Sequence, residues 1–433
     1  MTADTASFLD RPPLRSRPAP EVEVLVHPEA RFKRLHLELA LDRPLDGRRA
    51  ARTLLLEVLQ QGSRDFPSQL ALARRLQELW GAEMELEAGR IAECHRSTLH
   101  LSAVGERFLP PGEEVLPGLL DLVRSVLERP ARGAGGSPFR EEVVERERGL
   151  LLRRIRNLPD DRASWASERF LHHLCRGEPY GRPPWGTEEE VAALGAGDLE
   201  EARRDLLEHG SLLVVAAGPV QPERLQDLLE PPPGGAGARE APPEPVLRRP
   251  EELREVQESL PVDQARFHFG FRFPPPADGP GWEALSLACS ILGGGAHGRL
   301  FRIVREERSL AYGIYSVLHS RKGILAVEAG IDASRREEVR DEVLRQVRAL
   351  AAGEFSAEEL ETARAHLLDG LRSLAEHPVS VARFWIRERQ LGLQRTPAER
   401  ARQLLETGPE AVAEAASRWL PDLVYLLGPE GRS

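Results

Sequence analysis

Alternation between apolar and polar residues is the strongest signal in this chain, and it occurs twice. "RFKRLHLELALD" over 31–42 and "QARFHFGFRFPP" over 264–275 change character at every second residue, as a strand with one buried face does. Each is followed by an Asp-Gly pair, Asp46–Gly47 and Asp278–Gly279. An apolar helical segment comes next and stops at glycine, "LLLEVLQQGS" in the first case and "LSLACSILGGG" in the second. Each set closes on a short apolar strand ending in Gly-Pro, "SLLVVAAGP" at 211–219 and "LVYLLGP" at 423–429. The landmarks keep one order in both halves, so a duplicated domain is the economical reading. Strands and helices mix without strict βαβ alternation. The expected fold is therefore α+β, two homologous domains, each a mostly antiparallel sheet covered by helices on one face.

Local signals refine the map. Ser137 before Pro138 predicts a helix N-cap, with Glu141 and Glu142 in the first turn facing the positive end of the dipole. "SAEE", Ser356 to Glu359, is a capping box ahead of a long helix towards Ala375. "PPPGGAGAREAPPEPVLRRP" over 231–250 is too rich in proline and glycine for a helix or central strand and reads as a linker. It separates a domain over 21–230 from one over 251–433, while residues 1–20 have no apolar leader segment and read as a disordered arm.

Composition narrows the class. The chain has 433 residues, beyond the usual reach of one core, with 41% hydrophobic and 30% charged residues. A net charge of −10 against 59 basic side chains gives no nucleic-acid footprint, and no apolar run is long enough to span a membrane. Lys33 and Lys322 are the only lysines; arginine carries the remaining positive charge. Cys94, Cys175 and Cys289 are scattered, odd in number and without a CxxC, which suits a reducing cytoplasm rather than a disulfide framework.

Candidate chemistry is sparse. A zinc hydrolase of helical type needs two histidines four residues apart plus a carboxylate, and no two of the twelve histidines have that spacing. His172–His173 with Cys175 and Glu178 is the densest cluster, but adjacent histidines on a helix diverge. Cys94–His95 lies on an alternating segment, where one side chain is expected inside and one outside. There is no GxSxG elbow and no Walker lysine. What stands out is "GGGAHGRLFRIVREERSLAYGIYS" over 293–316: the triplet Gly293–Gly294–Gly295, then Arg305 and Tyr312 seven positions apart. Read without relatives, Arg305 is a solvated helix residue among charges, Tyr312 a strand aromatic, and the glycines a flexible turn.

The stretch "LGGGAHGRLFRIVREERSLAYGIYSVLHSRKGILAVEAGID", with "FSAEELETARAHLL" further on, resembles the C-terminal-domain signature of the pitrilysin/insulinase metallopeptidases. Active members carry an inverted zinc motif, H-x-x-E-H, on the first helix of the N-terminal domain. Counting back from Gly62–Ser63, the resemblance sets the first ligand position on Thr53, the general base on Leu56, the second ligand on Glu57 and a third, from a later helix, on Arg154. It therefore implies a member with no metal of its own and no catalysis alone. The family's opposite wall supplies an Arg and a Tyr with the spacing R-x6-Y, here Arg305 and Tyr312. The resemblance accordingly implies a heterodimer with a homologous zinc-bearing subunit that cleaves peptides, zinc residing in that partner. Arg305 and Tyr312 would bind substrate and stabilise the transition state, and Gly293–Gly295 would contact substrate; His297 has no assigned role. The competing expectation is a pseudoenzyme scaffold that binds a protein without assisting proteolysis.

Overall fold

The computed structural model describes residues 9–229, 232–235, 238–260 and 264–429. Eleven strands form two sheets among these residues. The first sheet contains β1 (Leu14–Ala19), β2 (Val22–Pro28), β3 (Arg34–Pro44), β4 (Glu83–Ile91), β5 (Cys94–Val104) and β6 (Ser211–Gly218), in the order β1-β2-β6-β3-β5-β4. The second contains β7 (Arg254–Ser259), β8 (Ala265–Arg272), β9 (Ala311–His319), β10 (Ile324–Ile331) and β11 (Leu420–Gly428), in the order β7-β11-β8-β10-β9. Leave out β1 and the two orders coincide strand for strand. The single parallel contact, β2 with β6, recurs as β7 with β11; all other neighbours are antiparallel. The duplication read from the sequence is thus present in topology.

The alternation of β3 explains its burial. Leu35, Leu37, Leu39 and Leu41 point to one core with the helices of the first half, including Arg49–Leu59 and Leu116–Glu128. His36, Glu38, Ala40 and Asp42 point the other way and are buried too. The expectation of helices on one face only is corrected here, because each half lends a helix to the other. Helix Pro378–Gln390 of the second half lies on β2, β3 and β6, burying Val381, Ala382, Phe384 and Trp385. Helix Arg162–Leu174 of the first half lies on β8 and β11, burying Ala166, Phe170, Leu171 and Leu174. Each large apolar side chain so buried contributes about 1.5–3 kcal/mol, so the exchange ties the halves into one hydrophobic unit.

A buried ion network reinforces the join. Lys322, one of two lysines, is 1% exposed and pairs with Glu93 and, at 2.6 Å, with Glu178. Glu178 also takes Arg272 at 2.7 Å, and Arg272 reaches Asp422 at 3.0 Å. Burial alone would raise the Glu178 carboxyl, but the Arg272 and Lys322 hydrogen bonds outweigh it and hold it below its ordinary range. The segment between the halves is fastened rather than loose. Glu240 pairs with Arg43 at 2.8 Å, the Val246 amide donates to Glu93 at 2.9 Å, and the Val246 carbonyl accepts from Lys322 at 2.6 Å.

Three local expectations are corrected. Residues 14–19, read as part of a disordered arm, form β1 against β2; residues 1–8 lie outside the described residues. The helix expected from Ser137 begins at Glu141, because Ser137 turns back to the Phe139 carbonyl (2.9 Å) while Phe139 enters the core. Cys94 and His95 are both buried, since β5 is covered on both faces. The Ser356–Glu359 capping box is formed, and its helix runs to Arg372 before a 3₁₀ turn over Ser373–Glu376.

Candidate functional site

Helix Arg49–Leu59 follows β3 in the first half as helix Gly279–Gly293 follows β8 in the second. On the first, the side chains at the three motif positions are fully engaged. Thr53 donates its hydroxyl proton to the Pro184 carbonyl (2.9 Å), which leaves its oxygen to accept from His95 Nε2 at 3.1 Å. Burial, then the charges of Arg52 and Arg49, push His95 down to about 3, so this ring is a neutral structural donor. Leu56 lies inside the core of the first half. Glu57 Oε1 accepts from Arg154 Nη1 at 2.8 Å, joining this helix to helix Glu141–Asn157. The set does not fit a metal ion. Leucine has no lone pair, arginine no acceptor and a permanent positive charge, and Glu57 is neutralised by that arginine.

The sequence cluster at 172–178 is likewise dispersed. His173 Nε2 bonds Glu258 at 2.8 Å, His172 Nδ1 faces the Gly181 carbonyl at 3.2 Å, and Cys175 and Glu178 belong to the buried network with Arg272.

The second wall is open. Residues Leu300–Glu307 form a π-helix rather than an ordinary amphipathic helix, and such i→i+5 turns recur at functional sites. The chain then reverses through Ser309, a non-glycine at φ +50°, into β9. Arg305 sits near the end of the π-helix with its side chain 41% exposed, its guanidinium over the Phe301 ring at 4.5 Å and 3.3 Å from Glu306. Tyr312 opens β9 and is 63% exposed. β9 is an edge strand, and Tyr315 and Val317 also face outward along it, with Tyr315 donating to Glu328 at 2.8 Å. The sequence reading overlooked these two, although the period-2 pattern of "YGIYSV" carries them.

The glycines serve close packing. A Cβ on Gly293 would lie 2.9 Å from the Ser316 amide nitrogen, and one on Gly294 would lie 2.7 Å from Ser290 Cα, while Gly295 adopts φ +148°. His297 fixes the same turn through Ser290 Oγ (3.1 Å) and packs on His366 (4.8 Å between centroids); burial, then His366, lowers its pKa. A cavity of about 570 Å³ between the halves is bordered by Gly294, Tyr180, His319 and Arg387, but by neither Arg305 nor Tyr312.

Residues 194–367 match the model described as the peptidase M16 inactive domain. Among curated proteins, the chain is 24% identical over 389 residues to the probable inactive metalloprotease YmfF of Bacillus subtilis, covering 88% of this chain and 90% of that one. It is 29% identical over 329 residues to the uncharacterized zinc protease Rv2782c of Mycobacterium tuberculosis, covering 73% and 72%. Among solved structures, a conserved protein from Enterococcus faecalis superposes with a TM-score of 0.87 at 21% identity, covering 98% of this chain and 100% of that one. A peptidase M16 inactive domain from Pseudomonas fluorescens gives 0.79 at 18% identity, covering 97% and 98%. Among the described residues no helix is long and apolar enough to cross a membrane. Its duplicated sheet-and-helix fold, the matched segment and these relatives make the chain similar to the M16 peptidase family, the pitrilysin/insulinase group, and to members of it described as inactive.

Proposed function

We propose that the chain is the non-catalytic subunit of a heteromeric zinc peptidase, working in the cytoplasm and lending Arg305 and Tyr312 to a zinc-bearing partner that cleaves peptides. One observation carries this reading: Arg305 and Tyr312 are exposed on one wall, while Thr53, Leu56, Glu57 and Arg154 are spent on packing and ion pairing in the other. Charge builds on a scissile carbonyl oxygen as water attacks. A donor already aimed there is worth about 3 kcal/mol in the transition state. Arg305 offers a permanently charged fork, and Tyr312 a neutral hydroxyl on a rigid ring. The free edge of β9 beside them offers unpaired backbone groups to an extended peptide.

The test is to combine the chain with a zinc-bearing relative and measure peptide turnover with Arg305→Ala and Tyr312→Phe. A drop in kcat of about 100-fold for each variant, with assembly of the pair unchanged, is expected. Undiminished turnover in both overturns the role. The β9 edge would also suit a scaffold that holds a protein without cleavage. In that case the pair assembles and turnover is indifferent to both substitutions.

A further inference from the structure

We propose that His36, Glu38 and His100 form a binding site for a divalent transition-metal ion of the zinc class, on the inner face of the first sheet and apart from helix Arg49–Leu59. His36 and Glu38 are two apart on β3 and so share a face, and His100 on β5 stands directly opposite Glu38 in the register. His100 Nδ1 lies 3.5 Å and His36 Nε2 3.9 Å from Glu38 Oε2, and the three ligand atoms all fall within 4.8 Å of one another. Tetrahedral zinc with bonds of about 2.0–2.1 Å needs separations of about 3.3 Å, a contraction that small side-chain rotations supply. Two imidazoles and one carboxylate suit zinc, cobalt or ferrous iron rather than magnesium or calcium.

Two further features point to an ion. His36 is 4% exposed, yet its Nε2 has no hydrogen-bond partner among the described residues and is directed at the Glu38 carboxylate from beyond bonding distance. A buried polar nitrogen left so calls for an occupant. On His100 the other ring nitrogen, Nε2, lies 3.5 Å from Glu87 Oε2. That carboxylate is placed to accept from a protonated Nε2, which leaves Nδ1 free to ligate, the usual support for a metal-bound histidine. Of the guanidiniums on this face, Arg34 is engaged by Ser102 at 2.8 Å and Glu83 at 3.3 Å, and Arg96, whose charge does act on Glu38, is held by both Asp42 oxygens at 2.7 and 2.5 Å. The cluster opens on a cavity of about 810 Å³ bordered by His377 and Arg383 at the start of the exchanged helix, which leaves room for a fourth ligand.

The site is independent of the role assigned to Arg305 and Tyr312, and its test uses no activity. The full chain is stripped with a chelator, dialysed, and titrated with zinc against a chromophoric competitor; cobalt is then added to read the visible ligand-field spectrum. One equivalent is expected to bind, at least tenfold more weakly in His36→Gln and His100→Gln, and unchanged in Glu57→Gln and Arg154→Ala. Glu87→Gln, on an exposed side chain that does not touch the ion, should weaken binding about tenfold without altering metal-free melting. Failure to bind an equivalent, or binding equal in wild type, His36→Gln and His100→Gln, overturns the proposal.

Discussion

The first and second halves share a strand order, a helix in the same place and a reciprocal helix exchange, yet they present opposite surfaces. In the first half the helix after β3 is closed: Leu56 is core, Thr53 is locked by His95 and Pro184, and Glu57 is held by Arg154. In the second half the segment before β9 is open, with Arg305 and Tyr312 turned to solvent. Duplication supplied two equivalent frames, and only side-chain chemistry distinguishes them. A backbone of this kind therefore says little about activity, and the residues on each wall say most of it.

The frames stand on matched supports, and acid should break both together. His27 of the first half lies 5.9 Å from Trp385 on the helix lent by the second; His268 of the second lies 5.1 Å from Phe170 on the helix lent by the first. Burial is the main cause that pushes His27 down to about 4 and His268 to about 3. In the unfolded chain both titrate near 6.5, so below that pH the unfolded state binds the extra protons. Their contribution is complete above pH 6.5 and declines as pH falls towards 4 and below. Equilibrium unfolding followed between pH 7 and 4 should show one cooperative loss of structure. Two separate transitions would show that the halves stand independently.

The buried lysine gives the next largest effect. Lys322→Met leaves Glu93 without its cation and Glu178 with Arg272 and the more distant Arg248, and removing one partner from a buried pair is destabilising by about 3–5 kcal/mol. Denaturant titration should show that loss with an unchanged slope. A change below about 1 kcal/mol would mean that the apolar exchange alone joins the halves.

Much of the frame could be read from the chain because it rests on local rules. Period-2 strands at β3 and β8, the Asp278–Gly279 pair ahead of a helix and the Ser356 box are written in adjacent residues. The helix exchange could not be read, since nothing in "RFLHHL" or "RFWIRERQ" states which sheet it will cover. The same limit hid the histidine cluster. A search for ligands four apart on a helix finds none, whereas His36 and His100 are brought together by strand pairing across 64 residues. The motif positions Thr53, Leu56 and Glu57 were legible as residue types, but the locking of Thr53 by His95 was not, because β5 was expected to have an exposed face.

Peptide hydrolysis by the purified, partner-free chain tests the central claim most directly, assayed with added zinc and with a chelator, in wild type and in His36→Gln. The account predicts no turnover in any of these conditions and turnover only once a zinc-bearing subunit is supplied. Chelator-sensitive cleavage by the chain alone, persisting in His36→Gln, would contradict it.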